Sequence, residues 1–99
     1  MIYIDKKVEQ YIGLIVAETA RPEHTSHIRP GTPADVVAIR EASETRAVSL
    51  NRSYVTPEDV KASARQLLRD RVLAQAATRH EDVGPDAMLE RILDAVAVP

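Results

Sequence analysis

The 99-residue chain has no cysteine, no tryptophan and no phenylalanine, and its aromatics are limited to Tyr3, Tyr11 and Tyr54. Without cysteine there is no disulfide, no thiolate nucleophile and no Cys-based zinc site. With so few aromatics the core has to be built from Val, Ile, Leu and Ala, which suits packed helices with small contact residues. Glycine is scarce, and none of Gly13, Gly31 and Gly84 belongs to a Gly-x-x-x-x-Gly-Lys-Ser/Thr loop, so nothing here cradles phosphates in the P-loop manner. No apolar run approaches a membrane span, and the charged Asp5-Lys6-Lys7 start does not have the form of a signal peptide. An excess of one charge is also missing: 13 Lys and Arg against 15 Asp and Glu leave a net charge of −2, and no global field draws in nucleic acid. A single cytoplasmic domain is expected, with no membrane and no nucleic-acid partner.

What the chain does have is the grammar of helices. Asp5 is placed to cap a first helix over about Lys6–Thr19, where Val8, Tyr11, Ile12, Ile15, Val16 and Thr19 fall on one face. Gly13, in the middle of it, is expected to mark the close approach of a neighbouring helix. Arg21–Gly31 reads as a loop. Thr32-Pro33-Ala34-Asp35 and Thr56-Pro57-Glu58-Asp59 share one starting pattern: a Thr cap, Pro at the first helical position and Asp at the third. The second helix runs to about Leu50, with Val36, Ile39, Ser43, Ala47 and Leu50 as its stripe, Val37 and Val48 on another side, and Asn51 as its stop. The third starts at Pro57, with Val60, Ala64, Leu67, Leu68 and Val72 inward, and ends between Asp70 and Ala77; an extended turn over Arg71-Val72-Leu73 is one form that end could take. A fourth helix opens at Pro85 with Met88, Leu89, Ile92, Leu93 and Val96 as its apolar stripe. The fold class expected is all-α, a small bundle of four helices.

Few constellations carry chemistry. His24 and His27, beside Glu23, lack helical geometry and a fourth ligand, and read as exposed loop histidines rather than a metal site. His80, next to Glu81 and Asp82, reads the same way. Glu41 and Glu44 read as a surface face, since no His, Ser or Lys cluster stands beside them to tune an acid–base pair. There is no Gly-x-Ser-x-Gly and no His-Glu-x-x-His pattern, so the chain alone is not expected to be an enzyme. Lys61, Arg65 and Arg69 recur every four residues as a basic ridge on the third helix. That ridge is either a solvated face or a contact for an acidic neighbour, because like charges at this spacing repel slightly.

Tyr54-Val55-Thr56-Pro57-Glu58-Asp59-Val60-Lys61, an arginine-rich helix after it and the ending Ile92-Leu93-Asp94-Ala95-Val96-Ala97-Val98-Pro99 together resemble the C-terminal helical lid of MoxR-type AAA+ ATPases. Ile2-Tyr3-Ile4-Asp5-Lys6-Lys7-Val8 with Tyr11-Ile12 resembles the family's lead into the lid. Leu68-Arg69-Asp70-Arg71-Val72-Leu73 resembles its leucine-x-x-arginine exit segment. No single piece is diagnostic; their order and spacing carry the likeness over nearly the whole chain. The resemblance implies a parent that uses ATP and Mg for chaperone-like remodelling, commonly with von Willebrand A-type proteins. In that setting the lid contacts the ATPase core and the neighbouring subunit of a ring, and Lys61, Arg65 and Arg69 become interface candidates. Met1 falls near the family's lid boundary, so a lid lacking its upstream core is expected, either as a piece of a longer protein or as a gene product reduced to the lid.

The departure falls at the family's functional point. Its members typically carry Gly-x-Ser-Pro-Arg at the start of the second helix, the arginine serving as sensor 2 toward bound nucleotide. This chain reads Gly31-Thr32-Pro33-Ala34-Asp35, which puts Ala34 at the arginine position. Alanine offers no charge to a phosphate and Asp35 would repel one, leaving Arg29 as the nearest replacement cation. A free-standing helical interaction module that binds no nucleotide is the alternative reading. A small DNA-binding module resting on the Lys61, Arg65 and Arg69 ridge is a third, opposed by the net negative charge.

Overall fold

A computed structural model of the chain describes residues 2–22, 24, 28–78 and 85–99. The described residues are all-α, with four helices: α1 (Lys6–Glu18), α2 (Pro33–Ser49), α3 (Pro57–Thr78) and α4 (Pro85–Asp94). The β pairing among the described residues is an isolated parallel bridge between Tyr3 and Tyr54, in which Tyr3 N–H donates to the Ser53 carbonyl at 2.8 Å and Val55 N–H donates to the Tyr3 carbonyl at 2.9 Å.

The starts of α1, α2 and α3 follow from their local sequence. The first N–H groups of a helix have no intrahelical acceptor and need one supplied from outside. At α1 the Asp5 carboxylate accepts from Lys7 N–H at 2.9 Å. At α2 and α3 the carboxylates of Asp35 and Asp59 reach back to the N–H groups of Thr32 and Thr56, at 2.6 and 2.8 Å, while Pro33 and Pro57 fill first positions where no N–H is needed. The end of α2 is equally defined. Asn51 adopts φ 60°, and Asn51 N–H and Arg52 N–H donate to the carbonyls of Val48 and Ala47, each at 2.9 Å, in a Schellman motif.

The core is aliphatic, as the composition requires. It comprises Val8, Tyr11, Ile12, Ile15 and Val16 from α1; Ile39 and Ala47 from α2; Val60, Ala64 and Leu68 from α3; and Met88, Leu89, Ile92 and Leu93 from α4. Val96 closes it beyond α4, and Ile28 and Val55 enter from the two loops. Among the described residues, α1 and α3 each touch every other helix, whereas α2 and α4 do not touch one another and lie against the α1–α3 pair. Val37 and Val48 face solvent, as their position off the stripe predicts.

Several expectations need correction. Leu50 is exposed, because it follows the last helical residue Ser49 and takes a non-helical φ of −99°, where the helical period no longer holds. Leu67 is only partly buried, at the edge of the inward face of α3. No extended turn interrupts Arg71-Val72-Leu73: α3 runs on to Thr78, with neither Pro nor Gly between Glu58 and Val83 to stop it. The Val72 side chain lies outside the described residues. Gly13 meets no neighbour, since a Cβ built there finds nothing within 4 Å. The close approach occurs instead at Gly31, where a Cβ would lie 2.7 Å from Val16 Cγ1 and 3.2 Å from Thr19 Oγ1. Thr19 Oγ1 itself accepts from Gly31 N–H at 2.7 Å and donates to the Val16 carbonyl at 2.6 Å.

The two glycines should therefore respond in opposite directions to alanine. Gly13→Ala should raise stability by about 0.5–1 kcal/mol, the helical penalty of a glycine whose added Cβ meets no neighbour. Gly31→Ala should lower it by roughly 1–3 kcal/mol through overpacking against Val16. Urea unfolding followed by circular dichroism measures both, and equal effects would show that the loop before α2 gives way freely.

Candidate functional site

The most organised polar chemistry of the molecule sits at the starts of α2 and α3. In each a capping aspartate is buried and receives an arginine from elsewhere in the chain. Asp59 has no solvent exposure. Arg52, delivered by the Schellman turn, donates to both of its oxygens at 2.6 and 2.7 Å, and Arg46 Nε, from the last turns of α2, adds a bond at 3.1 Å. Thr56 contributes its N–H and, at 3.1 Å, its hydroxyl. The reverse half of this capping box is the weaker one: Asp59 N–H lies 3.4 Å from Thr56 Oγ1. The planar guanidinium fork matches a carboxylate bidentately, and charge-assisted bonds of this kind are the strong ones. The Arg52 bonds, with help from Thr56 and against the cost of burial, hold the Asp59 carboxyl at about 2.

Asp35 repeats the device. Arg71, from the second half of α3, donates through both terminal nitrogens to its two oxygens. Its carboxyl is held below the usual range, chiefly by Arg71, and the Arg71 guanidinium is correspondingly raised. Sequence reasoning placed both aspartates and missed all three arginines. The local signal for a capping aspartate is strong, but its arginine lies 7, 13 or 36 residues away, and no periodicity reports it.

The residues singled out by the sequence fall as follows. Ala34 is exposed in the first turn of α2, and Arg29 is exposed in the loop before it; the guanidinium that reaches this turn is that of Arg71. The basic ridge of α3 is matched by carboxylates of the same chain. Arg65 donates to Glu90 at 2.6 and 3.3 Å, which raises the guanidinium and lowers the Glu90 carboxyl, and Lys61 lies 3.9 Å from Glu58. Arg69 is exposed. Beneath Arg65 the hydroxyl of Tyr11 is buried with no hydrogen-bond partner among the described residues, and burial is the main cause that pushes its phenol up.

His24 corrects the sequence expectation. The turn Arg21–His24 folds back on the end of α1 through Arg21 N–H to the Glu18 carbonyl and His24 N–H to the Arg21 carbonyl. This buries His24 and sets its Nε2 2.8 Å from Glu18, itself buried. His27, His80, Glu23, Glu81 and Asp82 lie outside the described residues. Among the described residues no group of three or more His, Asp or Glu is arranged to hold a metal ion, and no helix is long and apolar enough to cross a membrane. Glu41 is exposed, and Glu44 accepts from Arg40 at 3.3 Å.

Among the described residues the polar groups chiefly tie helix starts to the rest of the fold. The family model described as the AAA lid domain matches residues 31–92, from the glycine before α2 into α4, and the chain belongs to that family. It is also similar to the uncharacterized protein YeaC of Bacillus subtilis (strain 168), at 28% identity over 95 residues, covering 96% of this chain and 29% of that protein. The chain thus spans less than a third of the length of the curated relative it matches. No solved structure matches it.

The Asp59 carboxyl contributes to the acid limb of stability, beside the lowered Asp35 and Glu90 carboxyls. Its folded pKa of about 2 lies below the ordinary 3.8. Its contribution is therefore complete above the ordinary value and is lost as pH falls through it toward the folded one. The full contribution is about 2 kcal/mol. Asp59→Asn should lower stability at neutral pH by at least about 2 kcal/mol and flatten the loss between these two pH values, whereas Thr56→Ala should cost about 1 kcal/mol. Denaturant titrations at a series of pH values distinguish the two, and an unchanged acid limb in Asp59→Asn would remove the carboxylate from this role.

Proposed function

We propose that the chain is the C-terminal lid of a MoxR-type AAA+ ATPase, working with an ATPase core that binds ATP and Mg. The observation that supports this reading is the order of its segments on the fold. The Tyr54–Lys61 segment forms the bridge and start of α3, Leu68–Leu73 continues α3, and Ile92–Pro99 closes α4 and the tail, around a match to the AAA lid domain over residues 31–92. In this reading the lid moves with nucleotide state and touches the neighbouring subunit of a ring. The intact protein remodels partner complexes in a chaperone-like way in the cytoplasm, with von Willebrand A-type proteins as the partner class. Lys61, Arg65 and Arg69 are its subunit-facing cations, although Glu58 and Glu90 beside them give a partner a mixed rather than purely basic surface.

The nucleotide-facing end is altered in this reading. Ala34 occupies the sensor position, and the neighbouring Asp35 is already engaged by Arg71, so charge stabilisation of a transferring phosphoryl group would have to come from another cation. Arg29, exposed in the preceding loop, is the candidate. The same substitution favours the second reading, a helical interaction module that binds no nucleotide.

The test begins with the surrounding reading frame and the protein it encodes. An upstream Gly-x-x-x-x-Gly-Lys-Ser/Thr segment is expected, along with Mg-dependent phosphate release by the full-length protein and none by residues 1–99 alone. Ala34→Arg should raise the rate or tighten nucleotide binding if the position still faces nucleotide, and Arg29→Ala should lower it. A frame without that segment would sink the ATPase reading and leave the interaction module.

A further inference from the structure

The outer face of α2 combines exposed aliphatics with uncompensated acid. Val37 and Val48 are 54% and 55% exposed, although both are large and apolar. They are three helical turns apart on one side of the helix, a span of about 16 Å. Between them on the same side stand Glu41 and Glu44. Ile2, half-buried at the chain's lead, forms one wall of a groove of about 540 Å³ with Glu41, Glu44, Thr45 and Val48. The local charge does not cancel. Arg40 is shared between Glu9 at 2.8 Å and Glu44 at 3.3 Å, and Glu41 is exposed on the same side of α2 with no ion pair among the described residues, so the acid of this face exceeds its cation. The position of these residues differs from that of the α3 cations, where each carboxylate has its own cation.

We propose that this groove is a docking surface for a basic amphipathic helix of a partner protein. The apolar walls call for aliphatic anchors, and the acidic rim calls for Lys or Arg flanking them, the pattern of helix-in-groove recognition. A partner helix of about three turns covers the distance between Val37 and Val48. Complementary charge sets partner choice and the rate of encounter, and the apolar anchors supply the affinity. This inference does not depend on the ATPase reading, because it uses only the outer face of α2 with Ile2 and Glu9 beside it.

The probe is a fluorescein-labelled 18-residue Leu/Lys peptide designed as an amphipathic helix, with two comparators: the same composition in scrambled order, and a version with Glu in place of Lys. Anisotropy is read against the 99-residue chain at about physiological salt, where screening acts over roughly 8 Å. Binding of the amphipathic peptide is expected, with the two comparators weaker by about tenfold or more. Val48→Asp, and separately Glu41→Lys with Glu44→Lys, should each weaken it about tenfold, while Leu14→Asp, at an exposed leucine on α1, should change it less than about twofold. All these positions are on the surface, and circular dichroism checks that the variants keep the fold. Absence of binding, equal binding of the scrambled peptide, or indifference to Val48→Asp would overturn the proposal. Self-association of the chain abolished by Val48→Asp would overturn it too, by assigning the groove to a second copy.

Discussion

The bonds of Asp59 are the constraint on which the rest of the structure depends. A carboxylate removed entirely from water loses several kcal/mol of hydration, and burial is tolerable only when its lone pairs are filled with good geometry. Here they are filled by Arg52, Arg46 and Thr56. Those donors come from the last turns of α2, from the turn that ends it and from the residue that begins α3. One side chain therefore fixes the end of one helix, the start of the next and the corner between them. The angle of that corner then decides how α2 presents Ile39 to the core it shares with α1, and how α3 presents Val60 and Ala64 to the core it shares with α1 and α4. Asp35 does the same at the other end through Arg71, so α2 and α3 are tied to each other near both ends by the same chemistry.

Hydrophobic contact alone would leave this arrangement loose. The core is made of Val, Ile, Leu, Ala and Met88 with a buried tyrosine, and cores of this kind tolerate volume-conserving exchanges, losing uniqueness before stability. Bidentate arginine–carboxylate pairs are directional, and they set the register that aliphatic packing leaves soft. Breaking one partner of such a pair is costly because the other is left charged and poorly solvated. Specificity of the fold is thus concentrated in a few polar contacts at helix ends, outside the apolar centre.

The helices were readable because their signals are local. A stripe such as Val8, Tyr11, Ile12 and Ile15 shows in any short window, and Thr-Pro-x-Asp announces its own helix start. The contacts that lock the helices together were not readable, since Arg71 is 36 residues from Asp35 and carries no mark of its partner. The glycines show the same limit. Gly13 drew attention because it lies inside a helix, yet the backbone that had to come close was Gly31, at a point fixed by where the loop crosses Val16 and Thr19. His24 resembled any loop histidine until the turn after α1 folded it onto Glu18. In the proposed lid reading, Ala34 was legible in the sequence as a missing charge at the start of α2. That Asp35 beside it is already occupied by Arg71 was not, because that depends on α3 continuing as helix past Asp70.

The small bridge at the lead has a mechanical consequence. Tyr3 uses both its N–H and its carbonyl on Ser53 and Val55, so the chain entering the domain is clipped to the corner between α2 and α3 by two backbone bonds. Tension along the lead loads both bonds in shear, together, instead of unzipping them one after the other. The load passes directly into the corner, where the Arg52 fork on Asp59 resists it. Arg52 also stacks over the Tyr54 ring at 5.7 Å, so the same side chain braces the clip and the corner. The lead is thus joined to the bundle at the corner between α2 and α3, and Arg52 serves both the clip and the corner.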